Sequence, residues 1–85
     1  MLLFIFPYAI TVLLIDAVGK TIKELRTKRG MSQEKLADEI DSHQVYISEI
    51  ERGLKMPSLS ILYEIAKCFD LSLTDLVAII EQHLK

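Results

Sequence analysis

From Lys20 onward, apolar residues recur every three or four positions, and Gly, Pro or a serine-led polar pair interrupts them at short intervals. This is the pattern of short amphipathic helices joined by tight turns. Ile22 and Leu25, set among bases, predict a first helix from about Lys20 to Arg29, stopped by Gly30. Ser32 suits the N-cap of a second helix, although Lys35 stands where a capping box would carry Glu or Gln. Leu36, Ala37 and Ile40 form its inward face. A break at Asp41-Ser42 precedes a third helix from about His43 to Arg52, with Val45, Ile47 and Ile50 apolar and Gly53 as its stop. Pro57-Ser58 opens a fourth, in which Leu59, Leu62, Ile65, Ala66 and Phe69 follow helical spacing and Ile61 lies off the stripe. After an Asp70-Leu71-Ser72 connection, a fifth runs from about Thr74 to His83. Apolar residues cover more than one of its faces, whereas a single core needs one stripe. That surplus predicts a subunit interface at Leu76, Ile79, Ile80 and Leu84.

The first fifteen residues break this pattern. They carry no charge, and Tyr8 and Thr11 are their only polar side chains. Phe4, Ile5, Phe6, Tyr8, Ile10, Thr11, Val12 and Ile15 are β-branched or aromatic, so a strand or extended arm is as open as a helix. A secretory signal would want a positive leading region and a small-residue cleavage site, and neither is clear. A membrane span wants roughly twenty apolar residues, and this shorter run contains Pro7. The expected organisation is an apolar N-terminal arm or strand over residues 1–17 that packs on a second protomer, followed by a helical domain over residues 18–85.

Composition refines the picture. Hydrophobic residues make up 51% and charged residues 26% of an 85-residue chain, enough for one small core that a dimer would reinforce. The single cysteine, Cys68, cannot form an internal disulfide, which suits a reducing compartment and a cytoplasmic location. A net charge of −2 argues at first against a polyanionic partner. Its distribution argues otherwise: from Lys20 to Lys35 six bases face two acids, while from Leu36 onward four bases face nine acids.

The stretch Ser32-Gln33-Glu34-Lys35-Leu36-Ala37, continued by Ile47-Ser48-Glu49-Ile50-Glu51-Arg52-Gly53 and Pro57-Ser58-Leu59, resembles the Cro and phage-repressor family, also called Xre-type. The resemblance spans about Lys20 to Leu84. It implies an all-α, five-helix, lambda-repressor-like DNA-binding domain, a helix-turn-helix carrying an apolar N-terminal extension. Ala37 is small where the third helix must cross the second closely. At Asp41 the family commonly has Gly; Asp is a departure, but one that tolerates the left-handed region. Ser42 replaces a frequently apolar residue. By the same resemblance Arg26 and Glu51 match a largely buried ion pair that fixes the angle of the third helix and takes no part in base reading.

In such a motif the third helix enters the major groove and the second straddles the backbone. Gln44, Val45, Ser48, Glu49 and His43 are the expected base readers. Gln33, Tyr46, Arg52, Lys55, Lys28 and Lys35 are the expected phosphate contacts, with Lys23 and Arg29 adding to counterion release. Gln33 and Gln44 match a pair in several phage repressors in which the first glutamine holds both a phosphate and the second. An amide at Gln44 can donate one hydrogen bond and accept another, which suits adenine. The implied function is a sequence-specific transcriptional regulator of double-stranded DNA, acting as a homodimer on a near-palindromic operator. Two alternatives stay open. One is a protein-interaction module of the same fold, such as an antitoxin, favoured by Asp38, Glu39, Asp41 and Glu49 near the reading head. The other is a membrane-tethered regulator, resting on residues 1–15. An enzyme is disfavoured, because the histidines sit in no nucleophile or metal motif and there is no glycine-rich phosphate loop. No cofactor, metal or small-molecule ligand is expected.

Overall fold

The computed structural model describes the backbone of residues 2–84 and the side chains of residues 9–84. Five helices follow one another: α1 (Leu2–Lys28), α2 (Gln33–Glu39), α3 (Gln44–Glu51), α4 (Leu59–Cys68) and α5 (Leu73–Gln82). Four of them match the elements read from periodicity to within about two residues. The first does not: the helix expected to start near Lys20 is the last third of a 27-residue helix. Through the join, Asp16 and Lys20 form a 3.0 Å ion pair one turn apart, a spacing that supports helix and not strand. Helical backbone from Leu2 therefore replaces the strand or extended arm that β-branched composition left open.

Each helix boundary has a local cause. Ser32, Ser58 and Ser72 accept hydrogen bonds from the backbone N–H groups of Lys35, Ile61 and Asp75 at 3.0, 3.2 and 3.0 Å. Each satisfies a donor that the first helical turn leaves open. At the other ends, Gly30, Asp41, Gly53 and Asp70 adopt left-handed backbone, with φ of 63°, 54°, 74° and 58°. The residue after each donates back across the last turn: Met31 to Arg26, Ser42 to Ala37, Leu54 to Glu49 and Leu71 to Ala66, at 2.8–3.0 Å. α1 to α4 thus end in the same Schellman closure, built on glycine twice and on aspartate twice.

The core lies where α1 packs on α3 and α5, α2 on α3 and α4, and α4 on α5. α1 contributes Ala17, Val18, Thr21 and Ile22, one stripe at helical spacing. Leu36, Ala37, Ile40, Ile47 and Ile50 close the space beneath the α2–α3 crossing, and Leu62, Ile65, Ala66 and Phe69 cover it from α4. Ala37, 1% exposed, is small at a helix crossing as expected, and Ile61 packs partly against the core despite lying off the α4 stripe. Leu76 and Ile80 are 0% and 3% exposed within the single chain, so α5 spends them on this core. Of the residues expected at a subunit interface, Leu76 and Ile80 are therefore core residues of the single chain. Val77 on α5 and Leu84 just beyond its end stay exposed, and Ile79 is half-buried.

Two further contacts tie α1 to the rest. Gly19 passes so close to the end of α3 that a Cβ there would overlap the Ile50 carbonyl oxygen and lie 2.9 Å from that of Glu51. At the far end Arg29 donates to the carbonyls of Cys68 and Phe69 at 3.3 and 3.0 Å and to the Asp70 carboxylate at 3.1 Å. A cation at the last carbonyls of α4 sits where the helix dipole favours it. N-terminal to Ala17, α1 leaves the core, and Ile10, Val12, Leu13 and Leu14 are 36–57% exposed. Among the described residues no helix is long and apolar enough to cross a membrane.

Candidate nucleic-acid interface

α2 and α3, joined by the turn at Ile40-Asp41-Ser42-His43, present one outward surface. His43 is the N-cap of α3 and, unlike the serines of α2, α4 and α5, makes no side-chain cap bond. His43, Gln44 and Val45 are exposed at this end, Val45 by 62%. Ser48 and Glu49, one turn further along, are half-buried. An apolar side chain so exposed adds nothing to the core, whereas Ile47 and Ile50 on the opposite face of α3 are fully buried. The five expected base readers thus lie on one helix end and its flank.

A chain of hydrogen bonds fixes this end of α3. Glu51 is held by Arg26 in a two-point pair, Nε to Oε2 at 2.6 Å and Nη2 to Oε1 at 2.9 Å, with side chains 3% and 11% exposed. Arg26 also donates to the Met31 carbonyl at 2.8 Å. Its hydrogen bonds to Glu51 hold its pKa above the ordinary guanidinium value, against the opposing cost of burial. Gln33 Nε2 donates to Glu51 Oε1 at 2.9 Å, and Gln44 Nε2 donates to Gln33 Oε1 at 2.6 Å. The expected Gln33–Gln44 and Arg26–Glu51 contacts are therefore one network running from α1 through α3 and α2 to the exposed tip of α3.

The cations divide into two groups. Arg52 is exposed at the C-cap of α3, and Lys23 is exposed on α1. Lys28, Lys35 and Lys55 are 73%, 62% and 56% exposed, each opposite a carboxylate at 4.0, 3.2 and 4.0 Å. Such exposed pairs contribute little and exchange readily for phosphate. Arg29 differs: its guanidinium is committed to the end of α4 and lies 5.7 Å from the Phe69 ring, so it is a structural clasp and not a free cation. Tyr46 is half-buried against the core, which raises its hydroxyl pKa. Of the acids near the reading head, Glu39 and Glu49 are opposed by Lys35 and Lys55.

A profile of the helix-turn-helix family designated HTH_3 matches residues 22–76. The chain belongs to this helix-turn-helix family. The control protein C.BamHI of Bacillus amyloliquefaciens is 43% identical over 60 residues, covering 69% of this chain and 74% of that relative. A regulator of the helix-turn-helix type from Bacillus subtilis, YgzD, is 34% identical over 62 residues, covering 73% of this chain and 94% of its own length. Among solved structures, the clp gene regulator ClgR of Corynebacterium glutamicum superposes with a TM-score of 0.79 at 26% identity, over 85% of this chain and 77% of that one. The restriction-modification controller C.Esp1396I, solved as a tetramer with its natural 35 base-pair operator, gives a TM-score of 0.74 at 30% identity, over 84% of this chain and 93% of that one. The architecture is that of helix-turn-helix DNA-binding transcriptional regulators, as the residue pattern from Ser32 to Leu59 implied.

Two features of the helix-turn-helix site escape sequence pattern. Gly19, which sets the approach of α1 to α3, reads in the chain as an isolated glycine after Asp16-Ala17-Val18. The bond from Gln33 to Glu51 joins residues 18 apart on different helices, and no local spacing signals it.

Proposed function

We propose that this chain is a sequence-reading transcriptional regulator that binds operator DNA as a homodimer, with α3 in the major groove of each half-site. The observation that carries the reading is the Gln33–Gln44 hydrogen bond at the exposed tip of α3, 2.6 Å long and anchored to the buried Arg26–Glu51 pair. A glutamine held at the start of a recognition helix is positioned to meet a base edge. Val45 beside it suits a thymine methyl, and Ser48 and Glu49 line the next turn. Arg52, Lys55, Lys28, Lys35 and Lys23 supply the phosphate contacts, with Tyr46 and Gln33 at the margin.

Homodimer formation has two supports. One monomer reads only a few base pairs, and two-fold pairing places two recognition helices roughly 34 Å apart on a near-palindrome. C.Esp1396I, similar over most of both chains, is a tetramer on its operator. Val77 and Ile79 on α5, Leu84 just beyond it and the exposed apolar turns of α1 are the surfaces available for pairing. The similarity to C.BamHI and C.Esp1396I favours a controller of a restriction-modification locus as the regulatory setting.

Fluorescence anisotropy tests the reading: the protein is titrated against a labelled duplex from upstream of its own gene and against a shuffled duplex, over a salt series. Tighter binding to the native duplex, steeply weakened by salt and by Gln44→Ala, is the expected result. Equal and salt-insensitive behaviour on both duplexes, with no enrichment from a random-sequence pool, would reject it in favour of a protein-interaction module.

A further inference from the structure

The network behind Gln44 does more than hold it still. An ionised carboxylate has only acceptor atoms, whereas a glutamine amide has a donor end and an acceptor end. Glu51 Oε1 faces Gln33, so Gln33 must turn its NH2 toward α3 and its carbonyl toward Gln44. That carbonyl in turn demands the NH2 of Gln44, at 2.6 Å. Gln44 is left with its Oε1 and one remaining N–H directed outward, one acceptor beside one donor. Among the described residues, Gln44 Oε1 accepts no hydrogen bond, and the side chain is exposed.

From this geometry we infer that Glu51, whose side chain is buried at the far end of α3 from Gln44, is a specificity-setting positioning residue that makes Gln44 a reader of adenine and not of guanine. The inference rests on the DNA-binding reading of α3. Adenine offers N7 as acceptor and N6–H as donor, the complement of one N–H and one carbonyl. Guanine offers two acceptors, O6 and N7, and calls for two donors. With one N–H committed to Gln33, Gln44 cannot supply two. If Gln33 were reversed, its NH2 would face Gln44, Gln44 would turn its carbonyl inward, and both of its N–H groups would point out, the arrangement that fits guanine. The reversed state would set the Gln33 carbonyl against the Glu51 carboxylate, two acceptors with no proton between them. Arg26 completes the device: its two-point grip fixes the plane of the carboxylate and holds Oε1 where Gln33 meets it. Polarity set on α1 and α3 is thus transmitted through two amides to the base edge.

The test is selection from a randomised duplex pool by the full-length chain and by four variants, read by sequencing, with thermal unfolding as a check on folding. Gln33→Met removes the relay and leaves Arg26 and Glu51 paired. Glu51→Gln replaces the acceptor-only group by one that admits both orientations. The parent is expected to enrich a motif with adenine at one position per half-site, a preference lost in Gln44→Ala. In Gln33→Met and in Glu51→Gln, the adenine-to-guanine ratio at that position should fall about tenfold, the size of one base-edge discrimination, while preferences elsewhere hold. The Gln33→Met/Glu51→Gln double variant should relax that position no further than either single change. An unchanged ratio in a folded Gln33→Met protein, or equal weakening at every position, would overturn the inference and leave DNA binding standing. Failure of the parent to enrich any motif would overturn both.

Discussion

Gly19→Ala sets two effects of opposite sign against each other, and the structure decides between them. Gly19 lies inside α1, where alanine favours helix over glycine by about 1 kcal/mol. Local propensity alone therefore predicts stabilisation. The added Cβ, however, would overlap the Ile50 carbonyl oxygen and come within 2.9 and 3.1 Å of the Glu51 carbonyl oxygen and carbon. All three obstructing atoms are backbone, so no rotamer change clears them. α1 and the end of α3 would have to separate by roughly 1 Å to restore ordinary contact, opening the packing of Val18 and Ile22 and stretching the Arg26–Glu51 pair. Overpacking of this kind costs about 1–3 kcal/mol, and relaxation strips contacts on both sides, so the net expectation is a loss of about 1–2 kcal/mol. In a domain of this size that is a fall in Tm of roughly 5–15 °C. Gly30→Ala is the control, since its Cβ would meet nothing within 4 Å and only the left-handed backbone, φ +63°, is strained. Differential scanning calorimetry gives stability, and anisotropy on a selected duplex reads the bearing of α3. Gly19→Ala should weaken DNA binding more than Gly30→Ala does at temperatures where both are folded. A Gly19→Ala protein at least as stable as the parent would refute the close crossing.

Three other outcomes follow from buried groups. Thr21 is fully buried and its hydroxyl has no hydrogen-bond partner among the described residues, so the near-isosteric Thr21→Val should raise stability by about 1 kcal/mol in urea unfolding. Arg26→Met leaves Glu51 charged and almost without solvent, and should cost about 3–5 kcal/mol, whereas Arg26→Met/Glu51→Leu should recover much of that loss. Recovery would be seen as a return of Tm. Burial first, and then the charges of Glu39 and Glu64, push the Cys68 thiol above its ordinary pKa. Less thiolate is present at any given pH, so iodoacetamide should label Cys68 more slowly near pH 8 than it labels an unfolded control, with the gap closing only as pH rises past the usual thiol range.

Why some of this was legible in the sequence and some was not has a physical basis. α2 to α4 announce themselves because each carries one apolar stripe bounded by a stop residue or a serine cap, and α5 by its Ser72 cap and recurring apolar residues, all of them local signals. Asp41 could be placed in left-handed backbone because it stands where the resembled family commonly has Gly, and its φ is 54°. Residues 2–19 carry no such signal: where nearly every residue is apolar, periodicity vanishes, and β-branched content argues for a state that the packing of Ala17 and Val18 overrides. On α5 the excess of apolar residues was plain, but not which of them point inward, and Leu76 and Ile80 turn out to serve the core. Arg29 looked like one more cation in a basic stretch because its partners lie 39 to 41 residues away. At the reading head, residue types at family positions identified Gln33, Gln44, Arg26 and Glu51, while the bond that joins the two pairs is purely tertiary.

The continuity of α1 has a mechanical consequence. An unbroken helix of 27 residues behaves as a stiff rod about 40 Å long, and this one is pinned at two stations, at the Gly19 crossing beneath α3 and at the Arg29 clasp on α4. Its outer turns project past the first station as the free arm of a lever whose fulcrum is the end of the reading helix. A force or twist on that arm is delivered, at the fulcrum, to the bearing of α3.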